Sequence, residues 1–416
     1  MKVLIVNASE RIGGAAIAAR RLAKALIKQG HDVTMVVGDK QGDEPWIVQA
    51  APPWQLKLAK TIERGRIFAL NRFSKEGLWD IDIAGDGVDI TGLPAFRDAD
   101  VVHLHWVNQG FLSGKDIKKI MQSGKRIVWT MHDMWPCTGV CHHAGDCRGY
   151  RRECGNCPLL QQPKPTDVSH ELIVQKREWY AEARNLSFVA CSHWLEEHAL
   201  QSSLTKNRHV TCIANPIDTK TFSPGDKIEA RKKLGLPLKT HLVLFASMKV
   251  TDERKGVNYL LETARLLKEK YKQDDSNLAF VAMGQHAERL QELIRFPVYS
   301  LGYVSDMQQI ATVYRAVDLF VTPSLYENLP NTIVEAMCCG TPCVGFRIGG
   351  IPEMIDHLAN GYVANYKDSD DLAQGILHTL SHPSMGAAAE HYAQYMYDEA
   401  RVARQYADLY RQTPDK

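Results

Sequence analysis

Two carboxylates, Glu327 and Glu335, stand eight positions apart in residues 318–353, DLFVTPSLYENLPNTIVEAMCCGTPCVGFRIGGIPE. An ionised carboxylate only accepts hydrogen bonds, so a pair of them suits polyols: one can hold sugar hydroxyls and the other a ribose. Either acid alone reads as a solvated helix or loop charge; the pairing and its setting give them a job. Leu319, Phe320 and Val321 read as a short buried strand that ends at Pro323 and Ser324. Pro330 suits the first position of a helix, which runs through Ile333, Val334, Ala336 and Met337 to a stop at Gly340 and Pro342. Cys343 to Phe346 make the next strand, ended by Gly349 and Gly350. This order puts a helix N-terminus at the carboxyl end of a strand, where α/β folds bind ligands and backbone N–H groups attract phosphate.

The Glu, seven residues, Glu spacing, with PS, EAMCCGTPCV and GGIPE around it, closely resembles the signature of retaining nucleotide-sugar glycosyltransferases of the family-four type. The resemblance covers nearly the whole chain. It implies an α/β protein of the GT-B fold, with two Rossmann-like doubly wound domains facing across a cleft. It also implies roles. Glu327 would hold sugar hydroxyls and Glu335 the ribose. His132, in TMHD at a strand end, would contact the transferred sugar, with His105 a weaker second. Lys249 and Lys255, with Arg254 beside them, would hold the diphosphate, and Gly302-Tyr303 would lie at the base. The loop at Gly13-Gly14, which does not fit the dinucleotide pattern G-x-G-x-x-G, would face the donor phosphates and the acceptor. Two departures matter. Pro330 stands where the family often has Gly and offers no N–H, so the phosphate contacts are expected from the amides of Asn331 and Thr332. Lys249 replaces an Arg, which exchanges a bidentate fork for a point charge.

Cys141, Cys147, Cys154 and Cys157 fall in CHHAGDCRGYRRECGNC, separated by five, six and two residues. Four thiolates fit a tetrahedral structural zinc, and the final CxxC has knuckle spacing. Cys137, His142 and His143 are substitute ligands, and reduced surface cysteines are the plainer alternative. The insert resembles a subgroup among capsule and colanic-acid-type glycosyltransferases.

The elements follow from periodicity. A strand over 2–7, a helix over 15–29 capped by Gly30 and a strand over 31–37 make a βαβ start. Further strands are expected at 99–104, 126–131, 186–191 and 210–214, with 186–191 the last of the first domain, then at 242–246, 278–283 and 298–301. With 416 residues, two domains are expected: 1–222, an acceptor domain holding the insert 137–157, and 223–390, a donor domain. Residues 391–416 form a helix crossing back to the first. The stretch 55–76 holds six basic and two acidic residues among apolar ones, which reads as a surface helix pair or as a contact with a membrane or lipid-linked acceptor.

Lys plus Arg is 50 and Asp plus Glu is 48, which gives no footprint for nucleic acid. No apolar run approaches ~20 residues, and MKVLIVNASE reads as a strand, so neither a spanning helix nor a signal peptide is expected. A cytoplasmic protein, peripheral at the inner face of the membrane, fits. The expected function is a metal-independent retaining glycosyltransferase of surface polysaccharide synthesis. Its donor is a nucleoside-diphosphate sugar (UDP- or GDP-sugar) and its acceptor a glycan or lipid-linked hydroxyl. The alternatives are a sugar-nucleotide epimerase of the same fold and a non-catalytic sugar-binding protein.

Overall fold

The structure, a computed structural model, describes residues 1–412. The chain divides into two compact units: Met1–Pro216 joined by the chain from Glu399, and Ile217–Asp398. These divisions fall six residues before and eight after the boundaries expected at 222 and 390. The reason is local. Ile217 bridges to Asp398 and donates its amide to the Tyr397 carbonyl at 2.8 Å, so the two chain crossings between units leave side by side.

The first unit holds seven parallel strands, β1 (Lys2–Ser9), β2 (Asp32–Asp39), β3 (Ile47–Gln49), β4 (Val101–Leu104), β5 (Arg126–Met131), β6 (Leu186–Ala190) and β7 (His209–Cys212). They are ordered β3-β2-β1-β4-β5-β6-β7, so β7, not the segment at 186–191, closes the sheet. Side chains alternate across it, as a strand's period of two requires. Leu4 and Val6 of β1 enter one buried cluster with Trp129 and Phe188, while Val3 and Ile5 enter another on the opposite face. That second face is covered by the small-residue helix Gly14–Lys28 and by the helix Glu399–Arg411. The latter also satisfies polar groups that the strands bury. Tyr410 Oη meets His103 Nδ1 at 2.7 Å, and Tyr406 Oη meets Thr130 Oγ1 at 2.8 Å.

The second unit holds β8 (His241–Lys249), β9 (Leu278–Gln285), β10 (Val298–Ser300), β11 (Leu319–Thr322), β12 (Cys343–Phe346) and β13 (Gly361–Ala364). All are parallel, in the order β10-β9-β8-β11-β12-β13. Both sheets therefore follow the 3-2-1-4-5-6 winding of nucleotide-binding folds, the first with one strand added. The order reverses between β1 and β4 in one and between β8 and β11 in the other. Loops after these strands turn to opposite faces and open a crevice at the carboxyl ends. Of the residues singled out from the sequence, Gly13 follows β1, His105 follows β4, Lys249 ends β8 and Glu327 follows β11, at these switch points.

Candidate active site

At the switch point of the second sheet, the loops leaving β8 and β11 are stitched together. Glu253–Lys255 form a short 3₁₀ turn that ends at Gly256, which sits at φ +75. A Cβ there would overlap the carbonyl oxygen of Pro323, so only glycine permits the approach. Leu325 N–H then donates to the Arg254 carbonyl at 2.8 Å. From the other side, Gly349 at φ +56 lies where a Cβ would overlap the Glu327 carbonyl oxygen, and Gly350 N–H donates to the Asn328 carbonyl at 2.8 Å. Glu327 is thus clamped between two glycine turns. Its Oε1 accepts from Lys255 Nζ at 2.5 Å, with 13% of the Glu327 side chain and 37% of the Lys255 side chain exposed. Opposite charges meet at the mouth of a strand crevice, where both remain within reach of a ligand.

The helix that follows is Asn331–Cys338. Pro330 is its N-cap, one position outside the first helical place expected for it, so Asn331 and Thr332 contribute the opening amides. Glu335 points inward instead of to solvent. It is 6% exposed, and Tyr314 Oη donates to its Oε2 at 3.3 Å. Lys249 is exposed at the end of β8, after an irregularity in its pairing with β9. Tyr303 presents an exposed ring beyond β10, two strands along the sheet from β8. No contact joins it to the Lys255–Glu327 pair among the described residues.

In the first unit, Gly13 at φ +90 caps the helix Gly14–Lys28 at the carboxyl end of β1, and a Cβ on Gly13 would meet nothing within 4 Å. His105 and His132 extend β4 and β5, and His105 Nδ1 meets His132 Nε2 at 2.9 Å. His132 Nδ1 lies 3.6 Å from the Cys191 sulfur. Burial pushes His132 down to about 4, and burial also holds His105 well below the usual histidine range, so both rings stay neutral near pH 7. His105 Nε2 is buried with no hydrogen-bond partner.

Beneath this pair lies a network that the sequence reading did not identify. Asp133 accepts from Trp106 Nε1 and pairs with His142 Nδ1, each at 2.8 Å. His142 Nε2 reaches Asp82 at 2.8 Å, and Asp82 pairs with the buried Arg64. His142 is therefore not a substitute metal ligand, since both ring nitrogens are engaged. Cys137 is no substitute either: it is fully buried, its thiol donates to the Met134 carbonyl at 3.2 Å, and it does not line the cavity shared by the other four cysteines. Arg64 likewise faces inward and leaves the basic surface to which the sequence assigned it.

Comparisons with known proteins agree with the fold. The model described as Glycosyltransferase Family 4 matches residues 12–221, and that described as Glycosyl transferases group 1 matches 239–382. The chain is similar to the putative colanic acid biosynthesis glycosyl transferase WcaC of Escherichia coli K12, with 22% identity over 96% of this chain and 98% of the relative. Its fold is similar to that of sucrose-phosphate synthase from Thermosynechococcus elongatus, with TM-score 0.69, 19% identity, and 99% of this chain and 98% of that one covered. It also resembles Anabaena HepE in complex with UDP-glucose, with TM-score 0.62, 16% identity and 98% of each chain covered. The winding of both sheets is that of the GT-B fold. With the family model spanning just over half of its residues, this chain belongs to glycosyltransferase family 4.

Proposed function

We propose that the second unit binds a nucleoside-diphosphate sugar (UDP- or GDP-sugar). The protein transfers the sugar, with retention, to a hydroxyl of a glycan or lipid-linked acceptor in surface polysaccharide synthesis. The observation that carries this reading is the Lys255–Glu327 pair at the sheet's switch point, beside the helix start at Asn331. When the bond from the anomeric carbon to the diphosphate breaks, the diphosphate leaves with the bonding electrons and charge grows on its β-phosphate. Lys255, Lys249 and the amides of Asn331 and Thr332 offer positive ends to that charge, as preorganised donors do. The reading is metal-independent because these groups supply the charge. Glu327 accepts from sugar hydroxyls, Glu335 from the ribose, Tyr303 lies against the base, and His132 contacts the sugar. A donor must take Lys255 and Glu327 from each other, exchanging one ion pair for a phosphate contact and a hydroxyl contact. That a similar fold was solved with UDP-glucose supports the donor class. The likeness to WcaC supports the acceptor class.

Thermal-shift titration with UDP, GDP and their sugars tests the donor. A saturable rise in melting temperature with one of them is expected, since a ligand held only by the folded state stabilises it. No rise with any of them, together with no transfer to glycan acceptors, removes the reading. Turnover of a donor in the absence of acceptor to an epimeric nucleotide sugar would replace it.

The acceptor's tether gives the helix Pro53–Leu70 and the turn after it a place. This is one helix, not a pair. Trp54, Leu58, Leu70, Phe73 and Trp79 are large apolar side chains exposed around it, interleaved with exposed Lys57, Lys60, Arg66, Arg72 and Lys75. Apolar insertion with basic flanks matches an anionic bilayer surface. Among the described residues no helix is long and apolar enough to cross a membrane.

A further inference from the structure

We propose that Cys141, Cys147, Cys154 and Cys157 bind one zinc ion as a tetrathiolate, and that buried Lys176 balances its charge. All four cysteines line a single cavity of about 20 Å³, together with Tyr150 and Ser169. That volume holds one small species and no more. None of the chain's ten cysteines forms a disulfide.

Three observations point to an ion here. The first is the backbone of the CxxC turn. Cys154, Gly155 and Asn156 stand consecutively at φ +53, +90 and +47, in the left-handed region that non-glycine residues avoid. The surroundings hold them there. Gly155 N–H donates to Ser169 Oγ, Asn156 N–H to the Lys164 carbonyl, and Cys157 N–H to Asp167 Oδ2. Cys154, which opens this turn, and Cys157, which follows it, both line the cavity. The second is Tyr150. It is 1% exposed, and its hydroxyl has no hydrogen-bond partner, an arrangement that leaves a buried donor facing thiol-lined space. The third is Lys176, which is fully buried with its Nζ donating to the carbonyls of Trp135, Thr138 and Gly139, at 2.6, 3.0 and 2.9 Å, and lying 3.3 Å from the centroid of the Trp135 ring. A buried ammonium with no carboxylate partner is costly unless a negative charge lies near. Cys141 and Cys154 of the site are within electrostatic reach of it, as is the carboxylate of Asp133. Four thiols lose four protons to solvent on taking up Zn²⁺, and the resulting centre carries two negative charges, one of which Lys176 offsets.

No three of the four sulfurs lie within 4.8 Å of one another; the trio that does, among the described residues, is His193, Glu196 and Cys212. Binding therefore draws the cysteine loops inward until each Zn–S distance is about 2.3 Å. The clip would also brace His142, next in chain to Cys141, which holds Asp133 behind His132; this last effect rests on the proposed function.

Metal analysis of the purified full chain should find about one zinc per chain. Cys154→Ser and Cys147→Ser should abolish it, and Cys212→Ser should leave it. Replacing zinc by Co²⁺ in the wild-type protein should give intense thiolate charge-transfer absorption and tetrahedral visible bands, a readout that needs no variant to fold. Stripping by a chelator should expose four additional thiols to titration. Lys176→Met should speed zinc loss to the chelator by about 10-fold, as outer-shell changes do. No metal with these four thiols reactive in the native protein, Co²⁺ bands without thiolate character, or zinc lost with Cys212→Ser but kept with Cys154→Ser would each overturn the site. A Lys176→Met variant releasing zinc at the wild-type rate would overturn the charge balance. Transfer activity enters none of these readouts, so the site stands or falls apart from the donor reading.

Discussion

Glu327 and Lys255 neutralise each other at 2.5 Å, so replacing one changes what the other does. Glu327→Gln removes the anion and leaves the Lys255 ammonium unpaired. Turnover should fall about 10²-fold or more, the scale of one lost preorganised contact, while nucleoside-diphosphate affinity holds or rises. Equal losses in both would sink the division of labour. Lys255→Ala should cost about 3 kcal/mol of transition-state stabilisation, and Lys249→Ala less, because an exposed, flexible ammonium is less well positioned. Steady-state kinetics separate the two. Glu335 is the acid whose surroundings the sequence misrepresents most. In the string it is one charge on an apolar helix; in the fold Tyr314 and the helix itself enclose it. Removing Tyr314 Oη by Tyr314→Phe should weaken donor binding if Glu335 meets the ribose, by the ~1 kcal/mol of one hydrogen bond.

At the scale of elements, two glycines set the shape of the candidate site. Gly256 and Gly349 let the loops after β8 and β12 approach the loop after β11 with backbone contacts. Gly349→Val should displace Glu327 without touching any charge. A loss of turnover comparable to Glu327→Gln is expected, with a lower melting temperature, measurable by assay and calorimetry. The helix Pro53–Leu70 carries the second element-scale prediction. Its exposed Lys57 and Lys60, with Lys75 beyond it, should bind vesicles of anionic lipid at low salt and release them at high salt, since each basic residue contributes about 1 kcal/mol at such a surface. Changing these three to Glu should abolish vesicle binding and leave nucleotide binding intact. Arg64 is excluded from that variant because it is buried against Asp82, and reversing its charge would break the first unit. Wild-type protein that ignores anionic vesicles at low salt would leave the helix a structural part alone.

At the scale of the molecule, buried histidines couple the first unit to pH. Burial lowers His103, His105 and His132 below their unfolded values, so the unfolded chain binds more protons than the native one below about pH 6.5, and stability falls as pH drops through that value toward 4. His142 has the opposite sign: burial lowers it, but Asp133 and Asp82 outweigh that and raise it to about 10, so its contribution is complete below pH 6.5 and is lost as pH rises from there through 10. Within the window from 6.5 to 4 it is constant, and the three lowered histidines dominate. Melting temperature recorded against pH should show this acid limb, and His103→Gln should flatten it. A melting temperature unchanged between pH 7 and 5 would contradict the burial of these rings.

The sequence by itself determined what is local. Apolar runs with glycine and proline stops marked most strands and the helix beside Glu327, and the spacing of Glu327 to Glu335 pointed to the family. Hydrogen-bonding period and turn chemistry act over a few residues, so a string records them. The long-range pairings were decided by tertiary structure. Nothing near Arg64 tells that it will meet Asp82, eighteen residues on, nor that His142 will span two carboxylates. Lys176 left a trace, since it occupies the apolar stripe of Val168–Glu182 with Leu172, Ile173, Trp179 and Tyr180, but its three carbonyl partners lie some forty residues away. A buried charge is set by whichever distant groups the sheets bring to it, and chain folding, not spacing, chooses them.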